Sequence, residues 1–178
     1  MNKTANSPIY WTHLTHTDWS MFIAATKSGL CYVGSLNQPF DELSNYVKRQ
    51  FGESTLIQED EQLSPYSKEI VEYLLGTRGE FTVPFDFRGT TFQLAVWHAL
   101  CRIPYGQTKS YSEIAAEVQK PSAVRAVGTA IGANPLLITV PCHRVIGKNG
   151  ALSGYRGGME MKKRLLELER DGVGDLVK

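Results

Sequence analysis

The stretch Leu136-Leu137-Ile138-Thr139-Val140-Pro141-Cys142-His143-Arg144-Val145-Ile146 constrains this chain more than any other. Two apolar, β-rich runs, residues 136–140 and 145–146, flank a proline, a cysteine, a histidine and an arginine in succession. The first run predicts a buried strand that breaks at Pro141, because proline lacks the N–H a central strand needs. Cys142 then sits at a strand end where the chain leaves the core, a place that suits a thiol held rigidly beside a pocket. Taken alone, such a cysteine reads first as a small buried apolar residue with His143 on the surface, since free cysteine is among the most buried types. Its neighbours shift that balance.

With 178 residues the chain is long enough for one good-sized domain or two small ones packed together. No run is long and apolar enough to span a bilayer, and the opening residues 1–8 lack an apolar signal core, so the expected compartment is the cytoplasm. Cys31, Cys101 and Cys142 are widely separated and show no C-x-x-C spacing, which argues against a disulfide framework or a cysteine-rich metal site. Charge is divided unevenly. Residues 1–85 hold six Lys/Arg against ten Asp/Glu, net −4, and residues 86–178 hold thirteen against eight, net +5. That split points to a polyanion meeting the second half only.

The first half, residues 1–87, reads as a small α/β domain. Residues 9–11, 21–25 and 30–33 have strand composition, with Gly29 supplying a turn. A helix is predicted over 41–51 and ended by Gly52, and residues 58–62 read as a polar loop. A second helix is expected over 65–75 with Pro65 in its first turn, followed by a closing strand over 81–87. His13, His16 and Cys31 match no strong zinc spacing and read as ordinary surface or core residues.

From Arg88 onward, residues 88–178 form a mainly helical domain. Thr90 and Gln93 have the spacing of a capping box, and Phe92, Val96, Leu100 and Ile103 recur at helical period before Pro104-Tyr105-Gly106 stops the helix. Ser110 and Glu113 repeat the cap, with Tyr111, Ile114, Ala115 and Val118 facing inward. After Gln119-Lys120-Pro121, Ser122 is the expected cap of a further helix reaching about Gly132, so the pair reads as a helix-turn-helix. In that second helix Val124, Val127 and Ile131 are expected inside, leaving Ser122, Arg125, Ala126 and Thr129 outside. The outward face is small and nearly uncharged. It suits close approach to a large body, with Arg125 entering a groove or a base stack; burial against another part of the chain explains it as well. The last helix is expected from Met159 to about Arg170, ended by Asp171-Gly172. Glu169 falls at the edge of its buried stripe and needs a partner, either a histidine or the plainer Lys162 or Arg170.

These residues carry a resemblance. Gly132-Ala133-Asn134-Pro135 followed by Pro141-Cys142-His143-Arg144-Val145 resembles the active-site signature of the O6-alkylguanine-DNA alkyltransferases. The likeness extends through Phe92-Gln93, Val96-Trp97, Tyr111-Ser112, Arg125-Ala126-Val127-Gly128 and Tyr155-Arg156-Gly157-Gly158 to Leu165-Leu166 and Glu169. The resemblance implies that Cys142 accepts the alkyl group, His143 draws off the thiol proton through a water, and Glu169 orients the imidazole. It further implies that Asn134 holds the turn beside the cysteine and Tyr111 assists the departing purine. Arg125 would fill the vacated stack within a minor-groove helix bearing Ser122, Ala126 and Thr129. Val145, Tyr155, Arg156 and Gly157 would line the pocket. It implies a monomer acting once on double-stranded DNA, with no cofactor and no metal.

The chemistry agrees. A cysteine thiol ionises near pH 8.5 unless its surroundings lower that value, so a neighbouring base and positive charges are expected to supply thiolate. Two other classes use similar residues. A thiol hydrolase or amidotransferase built on Cys142, His143 and Glu169 would turn over, and a non-catalytic alkylated-base binder would lack the acceptor cysteine.

Overall fold

A computed structural model describes residues 7–176, so residues 1–6, read above for the absence of a signal core, lie outside the described residues. Strands β1 (Ile9–His16), β2 (Trp19–Thr26) and β3 (Gly29–Val33) form an antiparallel meander, and β4 (Leu56–Gln58) joins β1 in parallel, giving the order β3-β2-β1-β4. One sheet face packs on α1 (Phe40–Phe51) through Ala24, Tyr32, Leu43 and Val47. The other face, with Met21, Ile23 and Ala25, enters the main core. That alternation is the period-two signature of a strand buried on both sides by different partners.

Helix α2 spans Asp60–Leu74, beginning five residues before Pro65, and part of the expected polar loop is its first turn. The Thr12 hydroxyl donates to Asp60 at 2.6 Å and Leu63 is fully buried, so packing starts the helix early. Pro65 removes one N–H inside the helix, yet the carbonyl it deprives belongs to exposed Glu61, where water can serve it. Residues 81–87 alternate in burial only as far as Phe85 and form a single bridge, Phe85 to Leu30, rather than a strand. Buried Glu69 takes the N–H groups of Thr82 and Val83, and Pro84 has none to give.

The second half holds α3 (Thr91–Cys101), α4 (Tyr111–Glu117), α5 (Val124–Gly132) and α6 (Met159–Leu176), with a two-stranded parallel pair, β5 (Lys109–Ser110) and β6 (Val145–Ile146). Both expected capping boxes are formed: Thr90 with Gln93 opens α3 and Ser110 with Glu113 opens α4. Each cap satisfies two otherwise orphaned N–H donors. Helix α5 differs from expectation at its start. Ser122 lies in the preceding turn, Ala123 is the N-cap without a side-chain bond, and Val124 is exposed, while Val127, Ala130 and Ile131 face inward. The indole of Trp97 donates to the Ala130 carbonyl at 2.9 Å and pins α5 against α3. Helix α6 runs through Asp171-Gly172 to Leu176 instead of stopping there.

Elements β1–β4, α1 and α2 precede Phe87 and α3–α6 follow it, but the larger core crosses between them. Leu14, Ile23 and Tyr73 share it with Trp97, Leu100, Ile138 and Leu165. No helix among the described residues is long and apolar enough to cross a membrane.

Candidate active site

The run 136–140, expected as a strand, is instead a knot of tight turns. Val140 N–H donates to Leu136 O at 2.9 Å, Thr139 N–H to Leu137 O at 2.7 Å, and Ile138 sits at φ 67°. A β-branched residue in that left-handed region is strained, so its surroundings must hold it. Asn134 does much of this. Fully buried, it donates to the carbonyls of Leu136 (3.3 Å) and Val140 (3.1 Å) and accepts from Leu136 N–H at 2.9 Å. Its side chain thereby replaces the ladder a strand would have supplied. Cys142 consequently opens a short 3₁₀ turn, Cys142–Arg144, rather than ending a strand.

That turn places three buried side chains in succession. Far from lying on the surface, His143 is 0% exposed; its Nε2 bonds Glu169 Oε2, while Nδ1 is buried without a hydrogen-bond partner among the described residues. Glu169, reaching in from α6, also accepts from Arg144 Nε at 2.7 Å and from Gly106 N–H at 2.9 Å. Gly106 can approach because it has φ +77°, and a Cβ there would strike Val173. Tyr73, from α2, donates its hydroxyl to Glu169 Oε2 at 2.5 Å and lies 3.3 Å from His143 Nε2.

Burial pushes the Glu169 carboxyl up, but the His143 bond and the Arg144 guanidinium outweigh it and hold the group at about 2. Burial also pulls the His143 imidazole below its ordinary value, against the opposing pull of Glu169. The histidine is therefore neutral, with its proton on Nε2 facing the carboxylate and its Nδ1 lone pair available as a base. The cysteine departs from expectation. Burial raises the Cys142 thiol, and the Asn134 amide and the charges of Arg156 and Lys162 oppose that rise without cancelling it. An unaided thiolate is not favoured, so the proton has to be taken by a base when the thiol reacts.

A cleft of about 610 Å³ opens nearby, lined by Tyr111, Gly128, Ile131, Gly132, Ser153 and Tyr155 among others. Ser153 Oγ donates to the Tyr111 hydroxyl at 2.8 Å, leaving the Tyr111 O–H free to donate in turn. Tyr155 links cleft and thiol. It borders the cleft, its hydroxyl is buried without a partner among the described residues, and burial above all pushes its ionisation well above the ordinary value.

Two family models match, the "6-O-methylguanine DNA methyltransferase, ribonuclease-like domain" over residues 9–87 and the "6-O-methylguanine DNA methyltransferase, DNA binding domain" over residues 91–171. The inducible methylated-DNA–protein-cysteine methyltransferase of Bacillus subtilis is 59% identical over 174 residues, covering 98% of this chain and 97% of that protein. The chain belongs to the O6-methylguanine-DNA methyltransferase family.

A crystal structure of Mycobacterium tuberculosis OGT in complex with DNA superposes with a TM-score of 0.79 at 38% identity, covering 92% of this chain and 94% of that one. The residues singled out in the sequence fall in four places. Cys142, His143, Glu169 and Asn134 converge on the buried turn, and Tyr111 and Tyr155 face the cleft. Arg125, Ala126 and Thr129 are exposed on α5, with Ser122 in the turn before it; the Thr129 hydroxyl is already bonded to Arg125 O at 3.2 Å.

Val145, Arg156 and Gly157 do not line the cleft. Val145 is fully buried and its carbonyl accepts from Lys162 Nζ at 2.7 Å. Arg156 donates to the carbonyls of Val33 (2.8 Å), Asn134 (3.0 Å) and Pro135 (3.2 Å) and pairs with Glu42 at 3.5 Å, as a staple between β3 and the active-site turn. At Gly157 a Cβ would lie 2.6 Å from Met161 Sδ and 2.7 Å from the Tyr155 ring, so any larger residue there would displace both.

Sequence reasoning missed Tyr73 and the partner role of Arg144, and it offered Lys162 to Glu169, whereas Lys162 Nζ donates to the carbonyls of Val145 and Ser153. The signal for Arg144 was a charge amid apolar residues, which needs a counter-charge when buried. The signal for Tyr73 was a hydroxyl beside Leu63, Ile70 and Leu74 on the buried side of α2, where a buried tyrosine seeks a polar partner.

Proposed function

We propose that this chain repairs alkylated DNA by direct reversal, moving the alkyl group from O6 of guanine to its own Cys142, once per molecule. One observation carries the assignment of roles: on a single buried turn, Cys142 is followed by a histidine whose tautomer Glu169 fixes and whose other nitrogen has no partner among the described residues. The alkyl carbon on O6 is out of reach in a stacked duplex, so the nucleotide is extruded at a cost of about a few kcal/mol. The exposed, small-residue face of α5 lies in the minor groove with Ser122, Ala126 and Thr129 at the backbone, and Arg125 fills the gap in the stack.

His143 Nδ1 takes the thiol proton through a water, and the sulfur lone pair forms the new S–C bond as the C–O6 bond breaks. The electron pair of that bond leaves with the purine, which receives a proton from Tyr111, and solvent restores the tyrosine. Glu169 holds the imidazolium, Asn134 holds the turn, and Tyr155 closes the pocket beside the sulfur. The product is a thioether. It has no carbonyl for water to attack, so the protein is consumed. The chain acts as a cytoplasmic monomer in which residues 1–87 are structural and residues 88–178 carry DNA binding and transfer.

Mass spectrometry after incubation with duplex DNA containing O6-methylguanine tests this. The expected result is one methyl group on the peptide containing Cys142, in at most equimolar yield, and none in Cys142→Ser, which still binds the duplex. Product released in excess of protein would indicate a hydrolase, and an unmodified wild-type protein a mere binder; either result overturns the proposal.

A further inference from the structure

The first half of the chain contributes one side chain to the buried end of the site. We propose that Tyr73 is a positioning residue for alkyl transfer, whose hydroxyl, by sharing Glu169 Oε2 with the His143 imidazole, sets how readily that imidazole accepts the thiol proton. The proposal rests on the base role given to His143 above.

An ionised carboxylate offers about four acceptor positions, and Glu169 fills them with Arg144 Nε and Gly106 N–H on Oε1 and His143 Nε2 and Tyr73 O–H on Oε2. Three of those donors come from the second half. Tyr73 comes from α2, is 0% exposed, and has its ring edge-on to both Tyr105 (6.0 Å) and His143 (6.4 Å) and tilted on Phe81 (5.6 Å). Burial and the adjacent Glu169 charge push its ionisation well above the ordinary value, so it stays a donor throughout the working range. The charged and titratable groups that bear on His143 are Glu169 and Lys162 from α6, Arg144 and Cys142 from its own turn, and Tyr73 from α2.

Among the four donors, only the Tyr73 hydroxyl can be deleted without removing a charge, the base itself or a backbone group. Without it the carboxylate charge is less dispersed and stabilises an imidazolium more strongly. The base then holds its proton to higher pH, and less of it is available to take one from the thiol.

The experiment compares wild type with Tyr73→Phe in two measurements across about pH 5–9, the range in which histidines titrate. One is the single-turnover rate of methyl transfer from O6-methylguanine duplex; the other is an NMR titration of the His143 ring in the DNA-free protein. The expected result is that the low-pH limb of the rate and the ring's midpoint both move upward, by about half to one pH unit, the size of one net hydrogen bond. Replacing Tyr73 with 3-fluorotyrosine, a stronger donor of the same shape, shifts both downward and serves if the phenylalanine variant does not fold. Unmoved midpoints, or a uniform loss of rate with the limb in place, would show that the ring only packs and would overturn the proposal. If the wild type transfers no methyl at all, the repair function fails, while the NMR titration still decides whether Tyr73 controls His143.

Discussion

Glu169 and Arg125 mark the inner and outer ends of the site, and they differ in nearly every respect. Glu169 is 1% exposed, with every acceptor position filled by a donor fixed elsewhere in the chain. Arg125 is exposed on α5, and among the described residues its guanidinium makes no bond to the rest of the protein. The inner end is finished before any ligand arrives, its charges already placed in a region that excludes water. The outer end is left open, so its energy is released only on contact with a partner. Preorganisation belongs where charge develops during reaction, and unspent binding capacity belongs where a large body must dock.

The sharpest way to break this contrast is Glu169→Gln. It leaves the Arg144 guanidinium buried without its counter-charge, so denaturant unfolding at neutral pH should show a loss of about 3–5 kcal/mol. Transfer should slow by about two orders of magnitude or more as the imidazole loses its anchor. The carboxyl has a depressed value of about 2 against an ordinary 4.5, so its contribution to stability is complete above about pH 4.5 and is lost as pH falls toward 2. In the variant that part of the acid dependence should vanish. An E169Q protein as stable as wild type would mean that the inner end is not organised by charge.

Tyr111→Phe tests the boundary between the two ends. It should slow methyl transfer by about a hundredfold, the lower range for general-acid assistance, and leave duplex binding nearly unchanged in a fluorescence titration. Arg125→Ala has the smallest expected effect, about tenfold or roughly 1.4 kcal/mol on transfer from duplex. It should have less effect on single-stranded substrate, where no stack needs filling. Equal losses on both substrates would place Arg125 in the chemistry rather than at the docking face.

Much of the outer end was legible in the sequence because local rules govern it. Thr90 with Gln93 and Ser110 with Glu113 announce their helices through side chain and backbone within a single turn. The inner end was legible only as a requirement. A carboxylate at the edge of a buried stripe demanded a partner, and the histidine proved to be one, with Arg144 beside it. Features set by long-range contacts were not legible. Residues 136–140 have strand composition, but Asn134 captures their carbonyls and turns them into a loop. Alternation holds over 81–85, yet Glu69 takes the N–H groups a neighbouring strand would need. The resemblance implied a pocket role for Arg156, and only the fold brings the Val33 carbonyl within its reach.

The continuous core that joins the halves across Phe87 bears on how such a chain can be recombined. Its first half is no detachable spacer, because the Tyr73 hydroxyl and the Val33 carbonyl are its tenons in the mortise of the second. A hybrid spliced at that border from two homologous parents would need both joints matched as well as the apolar surface between them.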